Sequence, residues 1–127
     1  MFNFAFDSDS GTLTVVVIGS WTMAEVERYG REAGLEFTQA RKKAGNLRLL
    51  IDLEGTQVLS QTVIEPLAKA GMQYSQPDDR VAVLVNSTLM KIQMKRMVGD
   101  APVPVFLVRD QAVAWLASSG DAASAVA

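Results

Sequence analysis

Leu47-Arg48-Leu49-Leu50-Ile51-Asp52-Leu53, with the stretch after it, Glu54-Gly55-Thr56-Gln57-Val58-Leu59-Ser60-Gln61-Thr62, decides how this chain is read. The first piece is a short, nearly continuous apolar run, the pattern of a strand buried on both faces of a sheet. The second leaves that strand's carboxyl end and runs into a helix. In open α/β sheets ligands and partners meet the fold at that edge. A working site is therefore sought at Asp52, Glu54 and Thr56 and at the start of the helix that follows.

Upstream of the run, Thr22-Met23-Ala24-Glu25 is a capping box in which Thr22 and Glu25 satisfy each other's free amides. Val26, Gly30, Ala33, Phe37, Ala40 and Ala44 follow in steps of four and three, one face of a helix laid on a sheet. Glu25 and Glu27 sit near the positive end of its dipole, and Arg41, Lys42 and Lys43 near the negative end. Gly45 closes it. Gly30-x-x-x-Gly34 would signal dimerisation inside a membrane, but in a charged helix it reads as close packing on the sheet. Farther back, Thr12 to Ile18 is β-branched, and Phe2, Phe4 and Phe6 alternate with Asn3 and Ala5, so two antiparallel strands are expected. Asp7-Ser8-Asp9-Ser10-Gly11 joins them. Its D-x-D-x-G spacing is that of a calcium loop's opening, but Ile18 stands where the bidentate Glu belongs, and a hairpin turn is the better reading.

Downstream, a second helix starts at Ser60 or Thr62. Thr62-Val63-Ile64-Glu65 makes another capping box and Pro66 suits a first turn, which favours Thr62. Val63, Leu67, Met72 and Tyr74 give it a loose apolar face, ending near the turn Pro77-Asp78-Asp79. Arg80 to Val85 is a further buried strand. Asn86-Ser87 caps a helix from Thr88 to about Val98, ended by Gly99. Met90, Met94 and Met97 share one face of it, with Lys91, Lys95 and Arg96 elsewhere. That pattern suits a partner-binding element or, more simply, core methionines and a solvated basic face. Pro102-Val103-Pro104 followed by Val105 to Val108 predicts a strand confined to a sheet edge. Asp110 is expected to cap a last helix burying Val113, Ala114 and Leu116, with Trp115 half-buried.

The predicted order is β-β-α-β-α-β-α-β-α, a hairpin followed by crossovers that give parallel strands. The fold class is α/β, one mixed five-stranded sheet with about four helices. Residues 1–118 form a single domain in this reading, and residues 119–127, mostly Ala, Ser and Gly, a frayed tail.

Composition narrows the chemistry. A chain of 127 residues is large enough to bury roughly two-thirds of its unfolded surface. With 49% hydrophobic and 20% charged residues it reads as an ordinary soluble globular domain. A net charge of −2 argues against a general nucleic-acid or anionic-membrane binder. There is no cysteine and no histidine, which excludes disulfides, thiolate sites, Ser-His-Asp and Cys-His catalysis, and histidine metal centres. Neither a secretory signal nor a membrane span is evident, so a cytoplasmic location is expected. Phosphate-binding glycine loops are absent too. No cofactor or metal is expected.

Asp52 and Glu54, two apart near a strand end, face the same side and are the one candidate acid/base pair. The alternative for Asp52 is a carboxylate that anchors the neighbouring loop, and that reading is preferred. Hydroxyl groups at Thr56, Ser60 and Thr62 leave a different possibility. A phosphate near a helix amino terminus meets free amides and the positive dipole end, and brings roughly two negative charges to a surface that a partner covers. The simpler role of Ser60 and Thr62 is to cap the helix.

The element order, the run Leu49-Leu50-Ile51-Asp52-Leu53 with a helix start about nine residues later, and the Ala112-Val113-Ala114-Trp115-Leu116 ending together resemble the STAS family, which is named for sulfate transporters and anti-sigma-factor antagonists. The likeness spans about residues 2–118 and is closest to short, stand-alone, SpoIIAA-like bacterial members. In antagonist members an Asp-Ser-Ser/Thr-Gly motif opens the helix, and an anti-sigma kinase phosphorylates its first Ser. Laid on this chain, that motif puts Ser60 at the Asp, Gln61 at the phosphorylated Ser, Thr62 at the next hydroxyl and Val63 at the Gly. The acceptor is therefore missing from its place, and only Ser60 and Thr62 flank it. The resemblance implies the fold, a protein partner such as a kinase or sigma-factor regulator, and no catalysis.

Three readings follow. The first is a non-enzymatic interaction module that binds a protein partner through residues 54–62 and the helix they start, alone or as a homodimer. The second is a carrier of a small molecule or lipid, with an apolar cavity under the Met90/Met94/Met97 helix. The third is an enzyme using Asp52 and Glu54, which requires both carboxylates to line a cleft.

Overall fold

The computed structural model describes residues 1–19, 21–56, 65, 69 and 76–118. Five strands form one sheet in sequential order: β1 (Phe2–Asp7), β2 (Thr12–Ile18), β3 (Arg48–Gly55), β4 (Arg80–Leu84) and β5 (Val105–Phe106). β1 and β2 are antiparallel, whereas the β2–β3, β3–β4 and β4–β5 pairs are parallel. The described helices are α1 (Met23–Ala44), α2 (Thr88–Val98) and α3 (Arg109–Ala117). The helix expected from Thr62 falls almost wholly outside the described residues; Glu65 and Lys69, the two described there, are both helical.

Local chemistry explains most boundaries. Asp7 closes the β1–β2 turn by accepting from Asp9 N–H (3.0 Å) and Ser10 Oγ–H (2.9 Å), and Gly11 takes the left-handed φ of 69° that the turn requires. Thr22 caps α1 by accepting from Glu25 N–H at 3.2 Å. The capping box is only half made, because the Glu25 carboxylate turns to the Met1 amino group at 2.6 Å. Gly45 ends α1 with φ 89°. Ser87 caps α2 through Met90 N–H, and Gly99 follows its end.

The core lies on both sides of the sheet. On one side, Leu13, Val15, Val17, Leu49, Leu53 and Val83 meet α1 and α2. Val26, Ala33, Phe37 and Ala40 come from α1, as the spacing predicts. Tyr29, which the spacing misses, is also buried, in a ring cluster with Phe2, Phe4 and Trp21. Met90 and Met94 of α2 are core side chains and Met97 packs against them. The three cations of α2 stay outside the core. A bidentate ion pair from Arg41 to Asp79 ties the last turn of α1 to the turn before β4.

On the other side, Leu50, Ala82 and Leu84 receive α3 through Ala112 and Leu116. Here the structure corrects the sequence reading. Asp110 does not cap α3: the N-cap residue is Val108, which makes no side-chain cap bond, and Asp110 lies inside the first turn. Val113 and Ala114 are exposed, and Ala112 takes the place in the core that Val113 was expected to hold. The helix starts at Arg109, which Asp52 and Glu54 hold from outside the helix, and its buried residues are Ala112 and Leu116. β5 is also shorter than expected. The chain leaves the sheet after Phe106, so Leu107 and Val108 are exposed. As Pro102 and Pro104 require, β5 is an edge strand.

Candidate functional site

At the carboxyl end of β3 the ladder is irregular. Val16 to Ile18 of β2 pass against Asp52 to Gly55 of β3, so β3 carries an extra residue there. Bulges of this kind re-aim side chains at the rim of a sheet. Asp52 is buried on the face that carries α3, while Glu54 stands at the rim with its side chain 41% exposed.

Both carboxylates meet one guanidinium. Arg109, the first residue of α3, donates from Nη2 to Asp52 Oδ2 at 2.5 Å and to Glu54 Oε1 at 2.7 Å. The other oxygen of Asp52 accepts from Glu54 N–H at 3.0 Å, and the local turn is thereby closed. These hydrogen bonds, Asp52's first and Glu54's second, hold the Arg109 guanidinium above its ordinary pKa. Asn86, just past β4, donates from Nδ2 to the Glu54 carbonyl at 2.7 Å. Thr56 is buried, donating from Oγ1 to the Val17 carbonyl at 2.9 Å, and its own N–H reaches Leu53 O. Gly19 N–H to Gly55 O completes the attachment to β2.

The stretch after β3 is thus fastened at its root to β2, β4 and α3. Asp52, Glu54 and Thr56 all lie at that root. Ser60, Gln61 and Thr62 lie outside the described residues. Both carboxylates bind the Arg109 guanidinium, and Asp52 also closes the local turn after β3. Among the described residues no three acidic side chains converge as a metal site would require. Arg109 is absent from the sequence reading because it belongs to no motif. One signal could have found it: in a parallel sheet, the loop after the edge strand returns to the same rim as the loop after the central one.

Around this charged cluster the rim is apolar. Ile18 at the end of β2 is 52% exposed, and Leu107 and Val108, immediately before Arg109, are 40% and 48% exposed. Ile18 lies against Gly55, where an added Cβ would stand 3.3 Å from its Cγ1. Among the described residues no helix is long and apolar enough to cross a membrane.

No family model matches the chain, and no curated protein matches it in sequence. Solved structures do match. An uncharacterised protein of the DUF3478 family with a SpoIIAA-like fold, from Shewanella loihica PV-4, superposes with a TM-score of 0.67 at 19% identity, covering 91% of this chain and 92% of that one. An anti-sigma factor antagonist from Mycobacterium paratuberculosis superposes with a TM-score of 0.67 at 15% identity, covering 93% and 96%. The chain therefore has the SpoIIAA-like, STAS-type fold, expected from its element order and from the run Leu49 to Leu53.

Proposed function

We propose that this chain is a non-enzymatic regulatory module of the cytoplasm that binds a protein partner through the carboxyl rim of its sheet, residues 54–62 and the helix that follows. The observation that carries the reading is the rim itself. A charged cluster, Asp52–Arg109–Glu54, is held rigid beside exposed Ile18, Leu107 and Val108. Apolar anchors beside an arginine are the composition that protein interfaces favour. The similarity in fold to an anti-sigma factor antagonist supports a partner of the regulatory kind, such as a kinase or sigma-factor regulator. The carrier reading has no such support, since Met90 and Met94 are packed as core. The acid/base reading loses its premise, since both carboxylates are committed to Arg109.

The test is affinity capture of the tagged chain from its source organism, with cross-linking and mass spectrometry. A partner that cross-links to residues 54–62, and is lost with Thr62→Glu or Leu107→Asp, is the expected result. Capture through the outer face of α1, or a partner indifferent to both substitutions, would overturn the proposal.

A further inference from the structure

The opposite end of the sheet carries two arginines with no counter-charge among the described residues. Arg48 and Arg80 open β3 and β4 and are Cα partners in the parallel ladder. Strand alternation puts both on the face that carries α3, with Leu50 and Ala82. Arg80 is only 7% exposed. Its Nη2 donates to the Trp115 carbonyl at 2.6 Å and to Ser118 Oγ at 2.9 Å, and its guanidinium lies 4.1 Å over the Trp115 ring. Arg48 donates from Nη1 to the Ser10 carbonyl at 3.2 Å. All these acceptors are neutral. The Nε atoms of both arginines are buried and have no acceptor among the described residues. Burial first, and the neighbouring Arg48 charge second, lower the proton affinity of Arg80.

Buried cations are normally paired. Asp79, beside Arg80 in sequence, has both oxygens on Arg41, one of them also accepting from Gln76 N–H. Residues 20, 57–64, 66–68 and 70–75 contain no acidic side chain, so Asp121 is the only one outside the described residues. The two guanidinium groups therefore await an anion that the described fold does not supply.

We propose that Arg48 and Arg80 form an oxyanion-binding site at the amino-terminal edge of the sheet. Two arginines on adjacent strands suit an anion with several acceptor oxygens, each guanidinium offering donors in a fixed fork. The site lies at the other end of the strands from the Asp52–Arg109 rim and does not depend on the function proposed for it. The oxyanion comes from solution, as inorganic phosphate or a phosphorylated ligand. The stacked Trp115 and the Ser118 hydroxyl tie occupancy to the end of α3.

The experiment is NMR of the full chain, following the Nε–H signals of Arg48 and Arg80 while inorganic phosphate replaces chloride at constant ionic strength. Both signals are expected to move along one saturating curve, and Arg48→Met to weaken phosphate at least about tenfold. Silence of the wild type overturns it, as does a drift that never saturates. The wild type gives this answer whether or not Arg48→Met folds.

Discussion

Arg109 Nη2 lies 2.5 Å from Asp52 Oδ2, joining the first residue of α3 to a carboxylate whose side chain is 8% exposed at the end of β3. The contact ties the start of α3, whose N-cap Val108 makes no side-chain cap bond, to the end of β3. It also predicts an asymmetry between substitutions. Arg109→Ala strands a buried carboxylate, whereas Asp52→Asn keeps the turn-closing acceptor and leaves an exposed arginine with Glu54. With Arg109 nearly half exposed, solvent screening moderates the loss to about 1–2 kcal/mol for Arg109→Ala, and Asp52→Asn is expected to cost less. Urea denaturation of both variants measures the difference.

That pair also sets a pH expectation. The folded-state pKa of Arg109 is raised above its ordinary value, so its contribution is fully present below that ordinary value and is lost only as pH climbs through the folded pKa. Stability measured on wild type and Arg109→Ala should therefore differ by a constant amount across the neutral range. A difference that vanished toward neutral pH would show that something else holds α3.

Thr56 is 1% exposed and its hydroxyl is spent on the Val17 carbonyl. Thr56→Val keeps the shape and deletes the donor, leaving that carbonyl unsatisfied, at about 1–2 kcal/mol. If the root of the stretch positions a binding surface, partner affinity should fall with it, and Thr56→Ser should restore both. Denaturation and binding measured on the three proteins check this.

Burial drives the Tyr29 phenol well above its ordinary value of 10.0. The neutral ring is favoured in the folded state, so this stabilisation is complete below pH 10 and declines as pH rises beyond it, when the unfolded chain ionises first. An ultraviolet titration in a Tyr74→Phe background should show no phenolate until the protein unfolds. Smooth ionisation near pH 10 in folded protein would contradict the packing against Phe2, Phe4 and Trp21.

The corrected face of α3 yields a sharp contrast. Leu116 is 1% exposed and Val113 is 44% exposed. Leu116→Ala is expected to cost about 3 kcal/mol, and Val113→Lys to stay within about 0.5 kcal/mol. The order would be closer to equal if Val113 faced the core. Thermal melts of the two variants decide it.

Strand and helix identity was readable from local rules. Period-two alternation marked Phe2, Phe4 and Phe6. The caps Thr22, Ser87 and Gly45 act on amides within a turn of themselves, so their meaning needs no tertiary knowledge. The apolar run at Leu49 to Leu53 and the prolines before Val105 likewise placed a central and an edge strand. Only the tertiary structure decided how the ends of those elements meet. Asp52 and Arg109 are 57 positions apart, and their pairing depends on β3 and β5 delivering their carboxyl ends to one rim. Arg48 and Arg80 are neighbours because the β3–β4 register matches them, which neither strand's own composition reveals. The face of α3 was likewise decided by tertiary packing: a helix of nine residues with little amphipathic contrast leaves open which side is buried, and here Ala112 and Leu116 meet Leu50, Ala82 and Leu84.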